Sequence, residues 1–245
     1  ELKTVHPWSE GKVWYTNVAN DVVDILDGLE VIKISGGEPF INVHFDRFID
    51  TLVNSGKKLP KIMITTNGSF TIKQLKKLKP FESVILLISC DALGKENYEH
   101  LRWPLKWDNF INNINNVFNL DFNVWIEFQI VMHNLNLKHL PDAVNYFKEN
   151  FSKKSARVSF TTLNGADWYT VANSPKELRE KICQELEKIE FEGYKIKPSK
   201  QEMIKYIQNA KKQKLSELVS HVKHTDGYRD FDTWKFLNWS PKEIS

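Results

Sequence analysis

A glycine pair followed by Glu-Pro is the stretch of this sequence best suited to binding chemistry. Residues 31–34 have a strand pattern, and Ser35-Gly36-Gly37 ends it. Two glycines after a strand let the backbone approach a ligand closely, with its N–H and C=O groups exposed. Pro39 restricts its own backbone and that of Glu38, which holds the turn open. A ligand with an α-ammonium and an α-carboxylate would suit this turn, although an ordinary strand-to-helix turn can have the same sequence.

The composition is that of one globular domain. The 245 residues are 41% hydrophobic, enough for a well-filled core, and α/β barrels of this size occur undivided. The net charge of +3, with Lys and Arg spread along helices, argues against a dedicated nucleic-acid surface. No apolar run approaches the ~20 residues of a membrane span. Cys90 and Cys183 are the only cysteines, so we expect no disulfide framework and a cytoplasmic location.

Alternating strand and helix patterns predict an α/β fold. Five strands are predicted, each followed by a helix, at 31–34, 61–65, 83–89, 124–132 and 157–162. Repeated βα units imply right-handed crossovers and a parallel sheet, open or closed into a barrel. The chemistry then belongs at the carboxyl ends of the strands. The unusual residues lie at these ends, at 35–39, 66–68, 89–91, 133–136 and 163–165.

The last fifty residues have a different pattern from the βα units. One Lys-rich amphipathic helix is predicted over 199–223, and an aromatic-rich tail follows over 226–239. We therefore divide the chain into a partial βα barrel, residues 1–195, and a helical C-terminal extension, residues 196–245. The tail either closes the barrel mouth over a substrate or packs outside as a plain lid, and packing is the commoner use of such a stripe. Before this region, Asn173-Ser174-Pro175 is predicted to cap a helix.

Four motifs, in order on matching elements, resemble those of radical S-adenosylmethionine (SAM) enzymes. Gly36-Gly37-Glu38-Pro39 is similar to the SAM-binding motif of the family, and Thr66-Asn67-Gly68 matches its Thr-Asn-Gly. Ser89-Cys90-Asp91 is similar to its Ser-hydrophobic-Asp-Gly segment, with the tyrosine and hydrophobic-Arg that follow it matched by Tyr98, Leu101 and Arg102. Asp226-Gly227-Tyr228-Arg229 resembles the Asp-x-x-Arg tail of the twitch-domain-like subgroup. The resemblance covers nearly all of the chain and implies a partial (βα)6-type radical SAM barrel.

The resemblance also implies cofactors and site residues. Enzymes of this family cleave SAM reductively at a [4Fe–4S] cluster, which gives a 5′-deoxyadenosyl radical that abstracts hydrogen from a substrate. Glu38 and the Gly36-Gly37 backbone would take the SAM ammonium, and Arg102 would bind a carboxylate or tie down its own loop. The implied SAM-binding residues are Ser35, Gly36, Gly37, Glu38, Pro39, Thr66, Asn67, Ser89, Asp91 and Arg102. Other implied partners are an external electron donor and a peptide or protein substrate; a membrane or nucleic acid is not expected.

The Cys-x-x-x-Cys-x-x-Cys run that holds the cluster in this family is absent from the sequence. In the twitch-like subgroup the third cysteine is followed by Asn/His-Pro-x-Ser, and His6-Pro7-Trp8-Ser9 matches that segment. Cysteines before Glu1, between Lys3 and Thr4, and between Val5 and His6 would restore both intervals of the run. We interpret the native protein as having these three cysteines, with the first strand of the barrel ahead of them. A chain cut just past its first strand is one alternative.

Two other functions remain open from the sequence. One is a cluster-free barrel that binds SAM or a related small molecule without radical chemistry. The other is a radical enzyme acting on a nucleotide or RNA base, which the mild basicity supports poorly. Purely structural roles are also open for several of these residues. Asn67-Gly68 is a favourable turn pair whatever its function. Cys90 and Cys183 lie in apolar patterns that favour core packing, and His221 and His224 are expected to be solvated.

Overall fold

Strands and helices alternate along most of the chain. The computed structural model describes residues 13–163 and 167–244. The strands are β1 Val31–Ile34, β2 Lys61–Thr66, β3 Val84–Ser89, β4 Val124–Met132, β5 Ala156–Thr162 and β6 Ile196–Lys197. The α-helices are α1 Val13–Ile25, α2 Val43–Asn54, α3 Ile72–Lys76, α4 Lys95–Leu101, α5 Trp107–Val117, α6 Leu140–Asn150, α7 Lys176–Lys188, α8 Lys200–Asn209, α9 Leu215–Arg229 and α10 Thr233–Leu237. Among the described helices, none is both long and apolar enough to cross a membrane.

The six strands form one parallel sheet in the order in which they occur in the sequence. Val31 of β1 pairs with Lys61 of β2, and Thr66 at the end of β2 pairs with Ile88 of β3. Leu86, Leu87 and Ile88 are consecutive and all buried, so both faces of β3 are covered. The sheet and its flanking helices confirm the predicted α/β class, and the region after β6 is helical as predicted.

Three predicted features differ from the structure. The sixth strand, β6, has no counterpart among the predicted strands, because two residues next to Pro198 are too few to give a periodic pattern. The helix predicted over 199–223 is two helices, α8 and α9, because Ala210 is extended and Lys214 has a φ of 36°. The predicted cap of α7 is absent because Pro175 occupies the N-cap position. The side chain of Asn173 instead donates to the Trp168 carbonyl, at 2.9 Å.

The contacts divide the chain into two compact units. The first extends to Ile88 and includes Phe110–Ile126, and the second is Ser89–Asn109 with Glu127–Ser245. Buried side chains of the first unit are Ile49, Leu52, Ile62, Ile64, Leu75, Phe110 and Ile114. Those of the second unit include Phe128, Ile130, Phe147, Val158, Phe160, Ile182 and Leu186. The division at residue 195 made from the sequence stays a prediction.

Most aromatic residues of the C-terminal tail pack within the second unit. Trp239 is buried with Leu237 and Ile244, and the half-buried Trp234 and Phe236 pack against them. The ring centroids of Trp234 and Trp239 are 5.2 Å apart. Tyr228, by contrast, is 77% exposed. The tail therefore packs into a small hydrophobic core together with Leu135, Leu178 and Leu215, and packing is the commoner use of such an aromatic pattern.

Candidate functional site

Glu38 joins two turns of the first unit. After β1 the chain turns at Gly36 and Gly37, whose φ angles of 99° and 58° are accessible to glycine without steric cost. The Glu38 carboxylate then accepts the N–H of Phe40, at 3.3 Å. It also accepts the Thr66 hydroxyl and the Asn67 N–H, both at 2.6 Å. The Gly-Gly-Glu-Pro turn is thus fastened to the Thr-Asn-Gly turn at the end of β2.

The contacts of Glu38 leave one part of its carboxylate available. A carboxylate has about four lone-pair sites, and three are used here. Oε1 accepts from Thr66 and Phe40, whereas Oε2 accepts only from Asn67 among the described residues. Glu38 is half-buried, so Oε2 can still accept a hydrogen bond from a bound cation. The carboxylate is therefore oriented before any ligand binds.

The exposed residues next to Glu38 leave room for a ligand. Ser35, Gly36 and Gly37 are all exposed. A Cβ added to either glycine would meet nothing within 4 Å, so the space beside the turn is open. An open glycine turn next to an oriented carboxylate suits an ammonium group, which needs carbonyl and carboxylate acceptors.

The Thr-Asn-Gly turn requires glycine at position 68. Its φ is 87°, and an added Cβ would lie only 3.0 Å from Cδ2 of Phe110. Asn113 donates to the Gly68 carbonyl at 2.9 Å, and Asn67 Oδ1 accepts the N–H of Ser69 at 2.9 Å. The turn is therefore held by its own residues and α5, as any well-formed Asn-Gly turn would be.

Gln74 also supports this site, although the sequence motifs do not identify it as a site residue. Its Nε2 donates to the Phe40 carbonyl at 2.6 Å. Its Oε1 accepts the N–H of Thr71, which completes a capping box at the start of α3. The Thr-x-x-Gln spacing predicts that cap. The contact with Phe40 depends on the tertiary structure, so the spacing of residues in the sequence cannot predict it.

Asp91 and Arg102 form a pair in the second unit. Nη2 of Arg102 lies 2.6 Å from Oδ2 of Asp91. Asp91 has a φ of 53°, which is unfavourable for a residue other than glycine. Its conformation is held by the N–H of Val131, which donates to Oδ1 at 3.2 Å, and by Asn136, which donates to its carbonyl at 2.9 Å. Arg102 therefore ties down its own loop, one of the two roles expected of it.

The same unit contains a cavity of about 300 Å³ whose wall includes Asp91. The apolar part of the wall comes from Leu101, Val131, Leu135, Leu163 and Val222. The polar part, besides Asp91, comes from His100, His133, Tyr169, Thr225, Arg229 and Thr233. The sequence patterns single out His133 and Arg229 as strand-end and tail residues, but nothing in the pattern around Tyr169 predicts its place here.

Both histidines of the cavity are neutral at pH 7. Burial lowers the pKa of His133 to about 4 despite the nearby Asp91. Burial, followed by the charge of Arg229, lowers the pKa of His100 to about 4. Nδ1 of His133 accepts the N–H of Leu135 at 3.2 Å, so the neutral ring carries its proton on Nε2. His133 is thus a hydrogen-bond donor without a charge.

The described residues do not supply the ligands of an iron–sulfur cluster. Within residues 13–163 and 167–244, no three His, Cys, Asp or Glu side chains are grouped to hold a metal ion. Cys90 and Cys183 are buried, and burial raises the pKa of each thiol, which confirms their expected packing role. The three proposed cysteine positions, before Glu1, between Lys3 and Thr4, and between Val5 and His6, lie outside the described residues. His221 and His224 are exposed, as predicted.

The family of the chain follows from a match over more than half of its length. The family model described as the Radical SAM superfamily matches residues 16–147. The chain belongs to the radical SAM superfamily. This superfamily is one of enzymes, and the matched range includes the Gly-Gly-Glu-Pro turn, the Thr-Asn-Gly turn and the Asp91–Arg102 pair. Assignment to the twitch-domain-like subgroup stays a prediction.

Several proteins of known function are similar to part of this radical SAM chain. Molybdenum cofactor biosynthesis protein 1 of Dictyostelium discoideum is 30% identical over 134 residues, which are 54% of this chain and 20% of that protein. GTP 3',8-cyclase of Campylobacter fetus is 28% identical over 123 residues, which are 50% of this chain and 38% of that protein. The chain thus spans well under half of the curated relatives it matches.

A solved structure shows a weaker likeness. The crystal structure of Streptococcus suis SuiB aligns with a TM-score of 0.49 and 16% identity, over 77% of this chain and 43% of that chain. A similarity of this size supports no conclusion about ligands or substrates.

Proposed function

We propose that this chain binds SAM at the two joined turns of the first unit and takes part in SAM-dependent radical chemistry. The observation that carries the proposal is the Glu38 carboxylate, which accepts hydrogen bonds from both Thr66 and Asn67. Two motifs that resemble SAM-binding segments of the family are thereby held by a single side chain. A single side chain therefore keeps the two motifs side by side, as a ligand site shared by both would require.

The proposed contacts of SAM follow from the free groups of these turns. The ammonium would bind Oε2 of Glu38 and the backbone carbonyls of Ser35-Gly36-Gly37, while Pro39 keeps the turn rigid. Asn67 uses its Oδ1 within the turn, which leaves its Nδ2 group to donate to the ribose or carboxylate of SAM. Ser89 and Asp91 remain proposed SAM residues, and Arg102 would act by fixing the loop that carries Asp91.

A bound [4Fe–4S] cluster and SAM together supply a 5′-deoxyadenosyl radical that abstracts hydrogen from a substrate. Three cysteines at the positions inferred from the sequence are the proposed cluster ligands, since thiolates hold such clusters. The described residues would contribute by binding SAM and orienting it. A peptide or protein is the proposed substrate class, and an external donor supplies the electron; both rest on the resemblance to the twitch-like subgroup.

Binding of SAM to variants of Glu38 tests the proposal. Glu38→Gln keeps the size of the side chain but removes the charge that faces the ammonium. A charge-assisted hydrogen bond contributes about 1.5–3 kcal/mol, so we expect SAM affinity, measured by calorimetry, to fall roughly tenfold to a hundredfold. Glu30→Gln removes one exposed charge just before β1 and should leave affinity unchanged. Equal affinities for the two variants, both folded by circular dichroism, would give Glu38 a structural role only.

A further inference from the structure

Arg229 has no acidic partner in the cavity of the second unit. Its Nη1 donates to the His100 carbonyl at 2.8 Å. Within the described residues, no carboxylate oxygen lies within 4.0 Å of its guanidinium. The side chain is half-buried, where a cation loses part of its hydration and is stabilised by a counter-ion. The remaining N–H groups of Arg229 are therefore available to a ligand.

Two charged side chains, Asp91 and Arg229, line the cavity. Asp91 is the one carboxylate of the described cavity wall, and Arg102 neutralises it at 2.6 Å. Asp226 lies one turn before Arg229 on α9, outside the wall. Its carboxylate accepts the N–H and the hydroxyl of Thr233, at 2.8 and 2.6 Å. With both histidines neutral, Arg229 is the one charge of the described wall that has no ion-pair partner, and Asp226 acts on His100 and Tyr169 in the opposite sense from outside the wall.

Two uncharged donors accompany the guanidinium. His133 carries its ring proton on Nε2, because its Nδ1 accepts the N–H of Leu135. Burial raises the pKa of Tyr169, so its hydroxyl stays protonated and can donate. The Arg229 guanidinium, with two neutral hydrogen-bond donors beside it and no unpaired carboxylate in the described wall, is suited to bind an anionic oxygen group. The apolar remainder of the wall suits a hydrocarbon body attached to that group.

We infer that this cavity binds an anionic oxygen group of the substrate, a carboxylate or a phosphate, with Arg229 as its counter-ion. The inference rests on the proposed function in assigning that group to the substrate rather than to another ligand. A volume of about 300 Å³ is at the lower end of ligand pockets, so it holds one end of a substrate or a small acid.

Thermal unfolding of the full chain with small probes tests the charge requirement. Butyrate and butyramide have similar size and shape, but only butyrate is charged; inorganic phosphate represents the second anion. At constant ionic strength we expect butyrate or phosphate to raise Tm in a saturable way, because a ligand of the folded state stabilises it. Butyramide should leave Tm unchanged. A shift with butyrate alone identifies a carboxylate site, and a shift with phosphate alone identifies a phosphate site. Equal shifts with butyrate and butyramide, or no shift with either anion, would overturn the inference.

Variants of Arg229 assign the effect to this residue. Arg229→Gln should lower the affinity for the anion at least tenfold. Lys223→Gln removes an exposed charge from the same helix and should leave that affinity unchanged. Arg229→Lys keeps the charge and should retain part of the effect. If Arg229→Gln fails to fold, Tyr169→Phe serves as the test variant instead, and it should lower the affinity for the anion about twofold to tenfold. An anion effect that persists in the folded variants overturns the assignment.

Binding of SAM separates this inference from the proposed function. We expect Arg229→Gln to bind SAM with unchanged affinity. A parallel loss of SAM affinity would assign the guanidinium to the SAM carboxylate, which would overturn the substrate assignment and leave the proposed function intact. If the chain binds the anion but binds no SAM, the anion site is supported and the proposed function fails.

Discussion

The Glu38 carboxylate lies 2.6 Å from the Thr66 hydroxyl, across 28 positions of sequence. Glu38 follows β1 and Thr66 ends β2, and these strands are parallel neighbours. Both residues therefore lie at the carboxyl end of their strands, where α/β proteins bind ligands. This contact combines two short motifs, each an ordinary turn by itself, into one site.

Thr66→Val should destabilise the first unit. Valine has the shape of threonine but removes the donor to Glu38 and the acceptor of the Gly68 N–H. Thr66 is 2% exposed, so water cannot replace these bonds, and we expect a loss of about 1–3 kcal/mol in the free energy of unfolding in urea. Thr65→Val in the same strand is the matched control and should change stability by less than about 0.5 kcal/mol. Similar losses in both variants would contradict a specific role for the Thr66 hydroxyl.

Gly68→Ala should be more costly than Gly28→Ala. Alanine at position 68 would keep a φ of 87° and place its Cβ 3.0 Å from the Phe110 ring. The backbone strain alone costs roughly 1–2 kcal/mol. At Gly28 an added Cβ meets nothing within 4 Å, so the substitution should be neutral or stabilise by about 0.4–1 kcal/mol. Thermal unfolding of the two variants measures the difference, and equal Tm values would rule out the strained turn.

The Asp91–Arg102 pair should show a larger coupling energy than an exposed pair of similar length. A double-mutant cycle with Asp91→Asn and Arg102→Gln is expected to give about 1–3 kcal/mol, since the two side chains are only 19% and 24% exposed. Lys95 and Asp108 are 2.7 Å apart but mostly exposed, and their cycle should give less than about 1 kcal/mol. Coupling of the first pair at the level of the second would mean that Arg102 does not fix the Asp91 loop.

Stability should decrease as the pH falls from about 6.5 to about 4. The pKa values of His100 and His133 are lowered from 6.5 to about 4 in the folded chain, mainly by burial, so the unfolded chain binds these protons first. Burial lowers the pKa of His139 as well, with the same sign. Each proton contributes at most about 1.4 kcal/mol per pH unit over this window. Urea unfolding at several pH values measures the slope, which His133→Gln should reduce and His224→Gln, at an exposed position, should not. A slope unchanged by His133→Gln would contradict the lowered pKa of this histidine.

Much of the fold follows from the sequence because strand and helix periods are local. The consecutive apolar residues of β3 and the spacing of α5 and α6 each predict an element that the structure contains. The segment 210–214 breaks the predicted long helix at Lys214, whose left-handed conformation has no signal in a Lys-rich stretch. The two residues of β6 are likewise too few for a period to appear.

The candidate site follows from the sequence in part. Its motifs identify Glu38, Thr66 and Asn67, but the two hydrogen bonds that join them depend on the pairing of β1 with β2. The contacts of Gln74 with Phe40 and the place of Tyr169 in the cavity wall also need the tertiary structure. Side-chain partners between distant segments have no period, so sequence patterns cannot predict them.

Formation of 5′-deoxyadenosine tests the central claim of radical SAM chemistry most directly. Two proteins should be compared after anaerobic reconstitution with iron and sulfide: the chain as it stands, and a chain with cysteines added before Glu1, between Lys3 and Thr4, and between Val5 and His6. With dithionite and SAM, we expect 5′-deoxyadenosine and methionine from the second protein only, together with the absorption and EPR spectra of a [4Fe–4S] cluster. Binding of SAM without 5′-deoxyadenosine, in a protein whose cluster is verified, would contradict the radical mechanism and favour a SAM-binding module.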